Sequence, residues 1–320
     1  MKRVLVFGGA GFIGSYICRK LIEKGVTPIA FDSFALYLSS LNPEELDRRN
    51  RAQKDRFEGI RDKLIPIIGN ATNYREVQRA IKIYDPDSII HLAGMPLASA
   101  ANEYSEVSME GVTSTGTIIQ AIKDSGRKRK FIYTSSSTVY GDFGEEPVKE
   151  DREKRGKGIY AGVKLAGEDI TRYFCRQFDI PYIIIRPQGV YGPTDINKRV
   201  VQKFIEGAIS GEEIVVNDPT SAIDFTYAKD AAQGFVLATL NEGVQDEEFN
   251  ISGGQGRTLE ELLNIVRGHF PDMRFRISSS DPNLPRRGSA DISKARRMLG
   301  YNPQYNLEKG VEEYIKYYLK

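Results

Sequence analysis

The chain is poor in cysteine and histidine, with two of each in 320 residues, and it has no tryptophan. Cys18 and Cys175 fall in separate helix-like stretches without metal-like spacing or a nearby partner. They read as two reduced, half-buried thiols, and neither a disulfide framework nor a bound metal is expected. A dominant charge is also missing: 45 basic residues stand against 43 acidic ones, which points to no nucleic acid and no membrane surface as partner. The most basic stretch, Arg127 to Lys130, lies between a helix and a strand pattern and reads as a solvated turn, as does the mixed run Arg48 to Arg56. No apolar run approaches the roughly 20 residues of a membrane span. Residues 1–15 read as strand and turn rather than as a signal peptide, so a cytoplasmic protein is expected. The length suits one large domain or two intimate ones.

What is present begins with glycine. The run GGAGFIG (Gly8 to Gly14) follows Val4, Leu5, Val6 and Phe7, an apolar stretch suited to a buried parallel strand, and precedes a helical pattern from Phe12 to Lys24. Gly9, Gly11 and Gly14 satisfy GxGxxG, and Gly8, Gly11 and Gly14 form an equally visible triple. Glycines here let the backbone turn tightly and approach a pyrophosphate, whose charge meets unpaired N–H groups at the helix start. Asp32 ends the second apolar run, where a carboxylate is expected on a ribose 2′-hydroxyl. It would repel a 2′-phosphate, so NAD is favoured over NADP. Alone, the turn is equally compatible with a structural bend; strand, helix and acid in register make it a dinucleotide site.

Apolar runs at 3–7, 27–31, 64–69, 88–92, 130–135 and 181–186 alternate with helical patterns near 12–24, 73–83, 106–124 and 160–178. This alternation predicts an α/β fold with a Rossmann-type doubly wound parallel sheet. The charged stretch 33–62, helix-compatible from Pro43 to Ile60, reads as an insertion. After Pro187 the rhythm weakens into shorter elements at 198–210, 213–217, 228–241, 258–269, 291–299 and 307–319. The expected division is an NAD-binding domain over 1–187, with 228–250 packing back on it, and a smaller C-terminal substrate lobe over 188–320.

Tyr160 and Lys164, four residues apart in a helical run, share one face. Ionising a free tyrosine costs roughly 4 kcal/mol at pH 7. Lys164 and a positive nicotinamide ring are the cations available to offset that cost. The spacing gains weight from the preceding strand, which ends in TSSSTVYG (Thr134 to Gly141), because carboxyl ends of parallel strands are where such sheets bind ligands. Ser136 is the serine expected to hydrogen-bond the oxygen that Tyr160 deprotonates; capping of the strand end is the structural alternative.

With these motifs in place, the chain resembles the extended short-chain dehydrogenase/reductase family, in its nucleotide-sugar epimerase and dehydratase branch. The likeness runs nearly end to end: GGAGFIG, HLAG (His91 to Gly94), SSSTVYG (Ser135 to Gly141), YAGVK, KLAGE (Lys164 to Glu168), RPQGVYGP (Arg186 to Pro193), DFTYAKD (Asp224 to Asp230) and LGYNP (Leu299 to Pro303). The resemblance implies a catalytic triad of Ser136, Tyr160 and Lys164, with Tyr160 the acid/base and Lys164 also holding the nicotinamide ribose. It implies cofactor contacts at Gly8, Gly11, Phe12, Ile13, Gly14, Asp32, Asn70, Ala71, Leu92, Ala93, Gly94, Thr134, Tyr160, Lys164 and Pro187. Substrate contacts are expected at Ser136, Ser137, Gln188, Arg286 and Arg287. His91 matches a structural strand-end residue.

Departures narrow the expectation. Family members that dehydrate at C4 and C6 carry Asp and Glu just before VYG, where this chain has Ser137 and Thr138. Many UDP-hexose enzymes place an Asn before VYGP and an Arg before DF, both on the substrate diphosphate; here Gly189 and Ile223 stand instead. Arg286 and Arg287 match the late phosphate-binding position and are the candidates to replace them. The leading expectation is an NAD-dependent nucleotide-sugar 4-epimerase that passes through a 4-keto sugar and regenerates NAD. The alternatives are a nucleotide-sugar dehydrogenase, reductase or oxidative decarboxylase on the same scaffold, and a non-catalytic NAD-responsive binding protein. The expected partners are a nucleotide-diphosphate sugar and a second copy of the chain, paired through helices 106–124 and 160–178; coverage of the sheet within one chain is the other use for those apolar patterns.

Overall fold

Alternation within the first strand sets the architecture. Val4 and Val6 enter one apolar cluster and Leu5 and Phe7 another, all four at most 1% exposed, so both faces of the sheet must be covered. The computed structural model describes residues 2–34, 43–279 and 286–320; residues 35–42 of the expected insertion lie outside the described residues. The first part runs β1 (Arg3–Phe7), α1 (Phe12–Glu23), β2 (Thr27–Asp32), α2 (Pro43–Arg56), β3 (Ile65–Ile68), α3 (Tyr74–Tyr84), β4 (Ser88–His91), α4 (Ala98–Glu103), α5 (Ser105–Asp124), β5 (Lys130–Thr134), α6 (Gly158–Phe178) and β6 (Tyr182–Pro187). The second runs β7 (Val190–Tyr191), α7 (Val200–Ser210), β8 (Ile214–Asn217), β9 (Ala222–Asp224), β10 (Thr226–Tyr227), α8 (Ala228–Leu240), β11 (Glu247–Ile251), β12 (Gly256–Thr258), α9 (Leu259–His269), β13 (Phe275–Ser278), α10 (Ser293–Leu299) and α11 (Leu307–Tyr318).

Seven parallel strands form the sheet in the order β11-β6-β5-β4-β1-β2-β3. The fold is a Rossmann-type doubly wound sheet, and its order reverses between β1 and β4, where the crevice at the strands' carboxyl ends opens. Helices α1 and α8 bury Ile17, Leu21, Phe235 and Val236 on one face, and α3, α5 and α6 bury Val77, Ile81, Ile118, Ile122 and Cys175 on the other. A third apolar cluster, including Phe204, Ile205, Leu262, Val266, Val311 and Tyr314, is the core of a smaller C-terminal lobe built on α7, α9 and α11. The chain returns from that lobe twice, as α8 against α1 and as β11 beside β6.

Local signals explain where elements stop. Asn73 caps α3 by accepting from the Arg75 and Glu76 N–H groups, and Thr258 and Glu261 close a reciprocal capping box at α9. Both cysteines are free but fully buried rather than half-buried, and burial pushes each thiol up to about 12. Two basic runs are also less solvated than expected. Arg129 is buried, its Nε donating to the Pro86 carbonyl at 2.8 Å, and Arg56 is buried at the end of α2. No helix among the described residues is long and apolar enough to cross a membrane.

Candidate active site

A single cavity of about 930 Å³ runs from the glycine turn, across the carboxyl ends of the strands, to the C-terminal lobe. That is at the upper end of the size typical of ligand sites.

At its cofactor end α1 begins at Gly11 without a side-chain cap and without an acidic residue in its first turn, so its first N–H groups are left to an anion. The turn is closed tightly: a Cβ added at Gly14 would lie 2.1 Å from the Gly8 carbonyl oxygen. Asp32 accepts from the Ala10 N–H at 3.0 Å and the Phe34 N–H at 2.9 Å. Burial raises its carboxyl, and those two N–H groups oppose the rise. Further along, the Thr134 hydroxyl is buried in the cavity wall with no partner among the described residues. An uncapped helix start, a cradle that a side chain would fill and an orphaned buried hydroxyl together fit a dinucleotide.

At the other end, the residues expected to react come from three pieces of chain that line the same cavity. Tyr160 and Lys164 lie one turn apart on α6, with the Lys164 Nζ 5.8 Å from the centre of the Tyr160 ring. Lys164 is held from behind by the Thr134 carbonyl at 2.9 Å. Ser136, 9% exposed, follows β5 and accepts from the Thr138 N–H at 3.2 Å, capping the short 3₁₀ turn Ser137–Tyr140. Capping uses a lone pair of that hydroxyl and leaves its proton to donate. The Thr138 hydroxyl, also buried, has no partner among the described residues.

Beneath these groups lies a polar network. Arg186 and Glu168, both 0% exposed, form a two-pronged pair at 2.7 and 2.8 Å. Glu168 also accepts from Ser135, beside Ser136, at 2.6 Å and from Arg172 at 2.5 Å, while Arg186 donates to the Tyr140 hydroxyl at 2.9 Å. One ion pair thereby ties the end of β5, the 3₁₀ turn and α6 together. Burial opposes ionisation of Glu168, but Arg186 outweighs it and holds the carboxyl below its ordinary range. His91 is buried under the floor with its Nε2 3.2 Å from the Ser114 hydroxyl. Burial, and next Lys164, lower its pKa to about 3, so it is a neutral ring.

The C-terminal lobe contributes Arg199 and Arg287. Arg199 donates to both Asp195 oxygens at 2.8 and 2.7 Å and to the Pro96 carbonyl at 3.0 Å, bridging that lobe to the loop after β4. Arg287 lines the cavity with no acidic partner among the described residues, and burial lowers its pKa. Its loop is pinned from several sides: Gln188 Nε2 donates to the Gly288 carbonyl at 2.7 Å, and Asp224 accepts from the Ala290 N–H at 3.1 Å. Gly189 has φ +53, and a Cβ there would lie 2.5 Å from the Asp224 carbonyl oxygen, so the asparagine common at this place has no room.

All the expected catalytic, cofactor and substrate contacts line this cavity except two. Gln188 is buried behind the wall, where its amide serves the Arg287 loop. Arg286 is exposed, its backbone N–H held by Asp142 at 2.9 Å. Arg199 and Arg56 also line the cavity, though neither lies in a motif visible in the sequence. The signal for Arg199 was an Arg four residues after an Asp at the start of a helix; Arg56 was hidden in a run of charges.

Fold and cavity define an enzyme of the nicotinamide-dinucleotide class. A model of the NAD dependent epimerase/dehydratase family matches residues 4–252, and the chain belongs to that family. It is 26% identical over 98% of its length to an uncharacterized UDP-glucose epimerase of Bacillus subtilis (strain 168), covering 97% of that relative. It is 30% identical over 97% of its length to UDP-glucuronic acid decarboxylase 6 of Arabidopsis thaliana, covering 86% of it. The crystal structure of UDP-glucuronic acid 4-epimerase from Bacillus cereus, in complex with UDP-glucuronic acid and NAD, matches with a TM-score of 0.88 at 25% identity, covering 98% of each chain. NAD is the cofactor.

Proposed function

We propose that the protein is a nucleotide-sugar epimerase acting at C4 of the sugar through a transient 4-keto intermediate. The observation that carries this reading is the convergence of Ser136, Tyr160 and Lys164 on one cavity that runs on from the glycine turn to the C-terminal lobe. Ser136 donates a hydrogen bond to the C4 oxygen and fixes its position. Tyr160, as phenolate, takes the hydroxyl proton, and Lys164 stabilises the negative phenolate and holds the nicotinamide ribose. Held by the glycine turn, Asp32 and Lys164, NAD would supply the hydride acceptor and donor for C4. Between the two transfers the sugar turns over, with its diphosphate anchored by Arg287 so that the ring moves and the nucleotide does not. Tyr160 then returns the proton to the C4 oxygen of the inverted sugar.

Ser137 and Thr138 argue against 4,6-dehydration, because a hydroxyl in place of a carboxyl offers no proton donor or base near neutral pH. Oxidative decarboxylation is the second reading, supported by the 30% identical decarboxylase of Arabidopsis thaliana. Incubation with UDP-, GDP-, CDP- and dTDP-sugars, read by NMR, tests both. The proposal expects one pair of C4 epimers approaching equilibrium without build-up of reduced nicotinamide; reduced nicotinamide or carbon dioxide formed in step with product rejects it. We also infer a homodimer: Met109 on α5 and Ile159, Tyr173 and Phe174 on α6 are large apolar side chains left exposed.

A further inference from the structure

Helix α2 brings into the cofactor's half of the cavity a guanidinium that belongs to no recognised motif. Arg56 is 6% exposed and lines the cavity. Its Nη1 donates to the Ala10 carbonyl in the glycine turn at 3.0 Å, and its Nη2 to the Thr194 carbonyl in the C-terminal lobe at 2.7 Å. Its Nε is buried with no acceptor among the described residues. No carboxylate among the described residues forms an ion pair with it. The charged and titratable groups facing it include Asp195, Asp32, Arg49, Tyr317 and Tyr16. Both acids already accept other bonds: Asp195 from Arg199 and Asn197, Asp32 from the Ala10 and Phe34 N–H groups. A cation removed from water, with an unsatisfied N–H and no counter-ion in contact, is costly to keep unless an anion completes it.

The helix that carries this group is tied to both lobes. Arg19 on α1 donates to the Asp55 and Arg56 carbonyls, each at 2.9 Å, satisfying the otherwise open end of α2. Tyr317 on α11 donates to the Asp55 carboxylate at 2.6 Å, and Arg48 pairs with Glu206 on α7 at 3.0 Å. Arg56 is therefore held in place before any ligand arrives. Ala10 is the common point: its N–H meets the acid expected on the ribose, its carbonyl meets Arg56, and the anion-binding start of α1 follows at Gly11.

We propose that Arg56 is a cofactor-binding residue whose guanidinium charge, lining the cavity with no counter-ion in contact, meets the phosphate charge of the adenylate half of NAD. The sugar nucleotide also carries a diphosphate, so the test separates the two sources of phosphate. NAD and, separately, UDP are titrated by calorimetry into nucleotide-free wild type, Arg56→Gln and Arg56→Lys. A hydrogen bond to a charged group corresponds to about tenfold or more in affinity. Arg56→Gln is expected to weaken NAD by at least about tenfold and Arg56→Lys, which keeps the charge but not the planar fork, by about threefold; UDP affinity stays unchanged in both. If Arg56→Gln does not fold, Arg56→Lys carries the test. A folded variant that binds NAD as tightly as wild type, or one that loses UDP rather than NAD affinity, overturns the proposal. No step of the epimerase reading enters this measurement.

Discussion

Tyr160 shares the cavity with the two groups that the proposed reaction needs, Lys164 a turn away on α6 and Ser136 just past the end of β5. Replacing it with phenylalanine keeps the ring and removes only the proton carrier. Turnover of Tyr160→Phe is expected to fall by about 10²–10⁴-fold, with NAD affinity close to that of wild type; steady-state rates and NAD titration check the two halves separately. His91 makes a different kind of prediction. Its pKa is about 3 in the fold, chiefly from burial, against about 6.5 when unfolded. The fold thus favours the neutral ring, and the stability this confers is complete above the unfolded value and is lost as pH falls toward the folded one. Between pH 6.5 and 5 the loss is about 2 kcal/mol. Urea unfolding at pH 7 and pH 5 should show that loss in wild type and most of it removed in His91→Asn.

Among the elements, the ion pair between β6 and α6 is the part of the site with the largest structural reach. Glu168→Gln removes the fully buried one of the two carboxylates paired with Arg186 and leaves Glu248 as its remaining counter-ion, at a cost below the roughly 3–5 kcal/mol of a buried charge left wholly unpaired, readable as a lowered midpoint of denaturation. Because the fold holds the Glu168 carboxyl below its ordinary range, its contribution is present at neutral pH and is lost as acid protonates it; the gap between wild type and Glu168→Gln should narrow below about pH 4. The sequence shows elements like these well where one period dominates. Alternating β and α runs marked β1 to β6 and the main helices, and GGAGFIG marked the cofactor turn. It showed poorly what depends on chain segments far apart. Strand β11, the last of the seven in the sheet, is a short mixed run that becomes a strand only because the open edge of β6 accepts it. Arg56 sits in a charged run of which Arg48 and Arg49 also line the cavity, and nothing in such a run distinguishes the residue that becomes buried. Arg286 and Arg287 are adjacent, yet only the second enters the cavity, because Asp142 holds the Arg286 backbone outside.

On the scale of the whole molecule, two lobes meet over one continuous cavity, and an exposed apolar face lies across α5 and α6. The proposed dimer buries that face, so Tyr173→Glu, at a position 71% exposed in the single chain, is expected to shift the protein from dimer to monomer in sedimentation equilibrium without unfolding it. A wild type that sediments as a monomer contradicts the pairing. The central claim of the proposed function is that the C4 hydrogen would leave and return to the same carbon as hydride, without exchange with water. The most direct measurement follows a nucleotide sugar deuterated at C4, interconverted by the enzyme in ordinary water. The account predicts that deuterium stays at C4 in both epimers, with no label in solvent and no accumulated reduced cofactor. Loss of the label to water, or its appearance at another carbon, would contradict it.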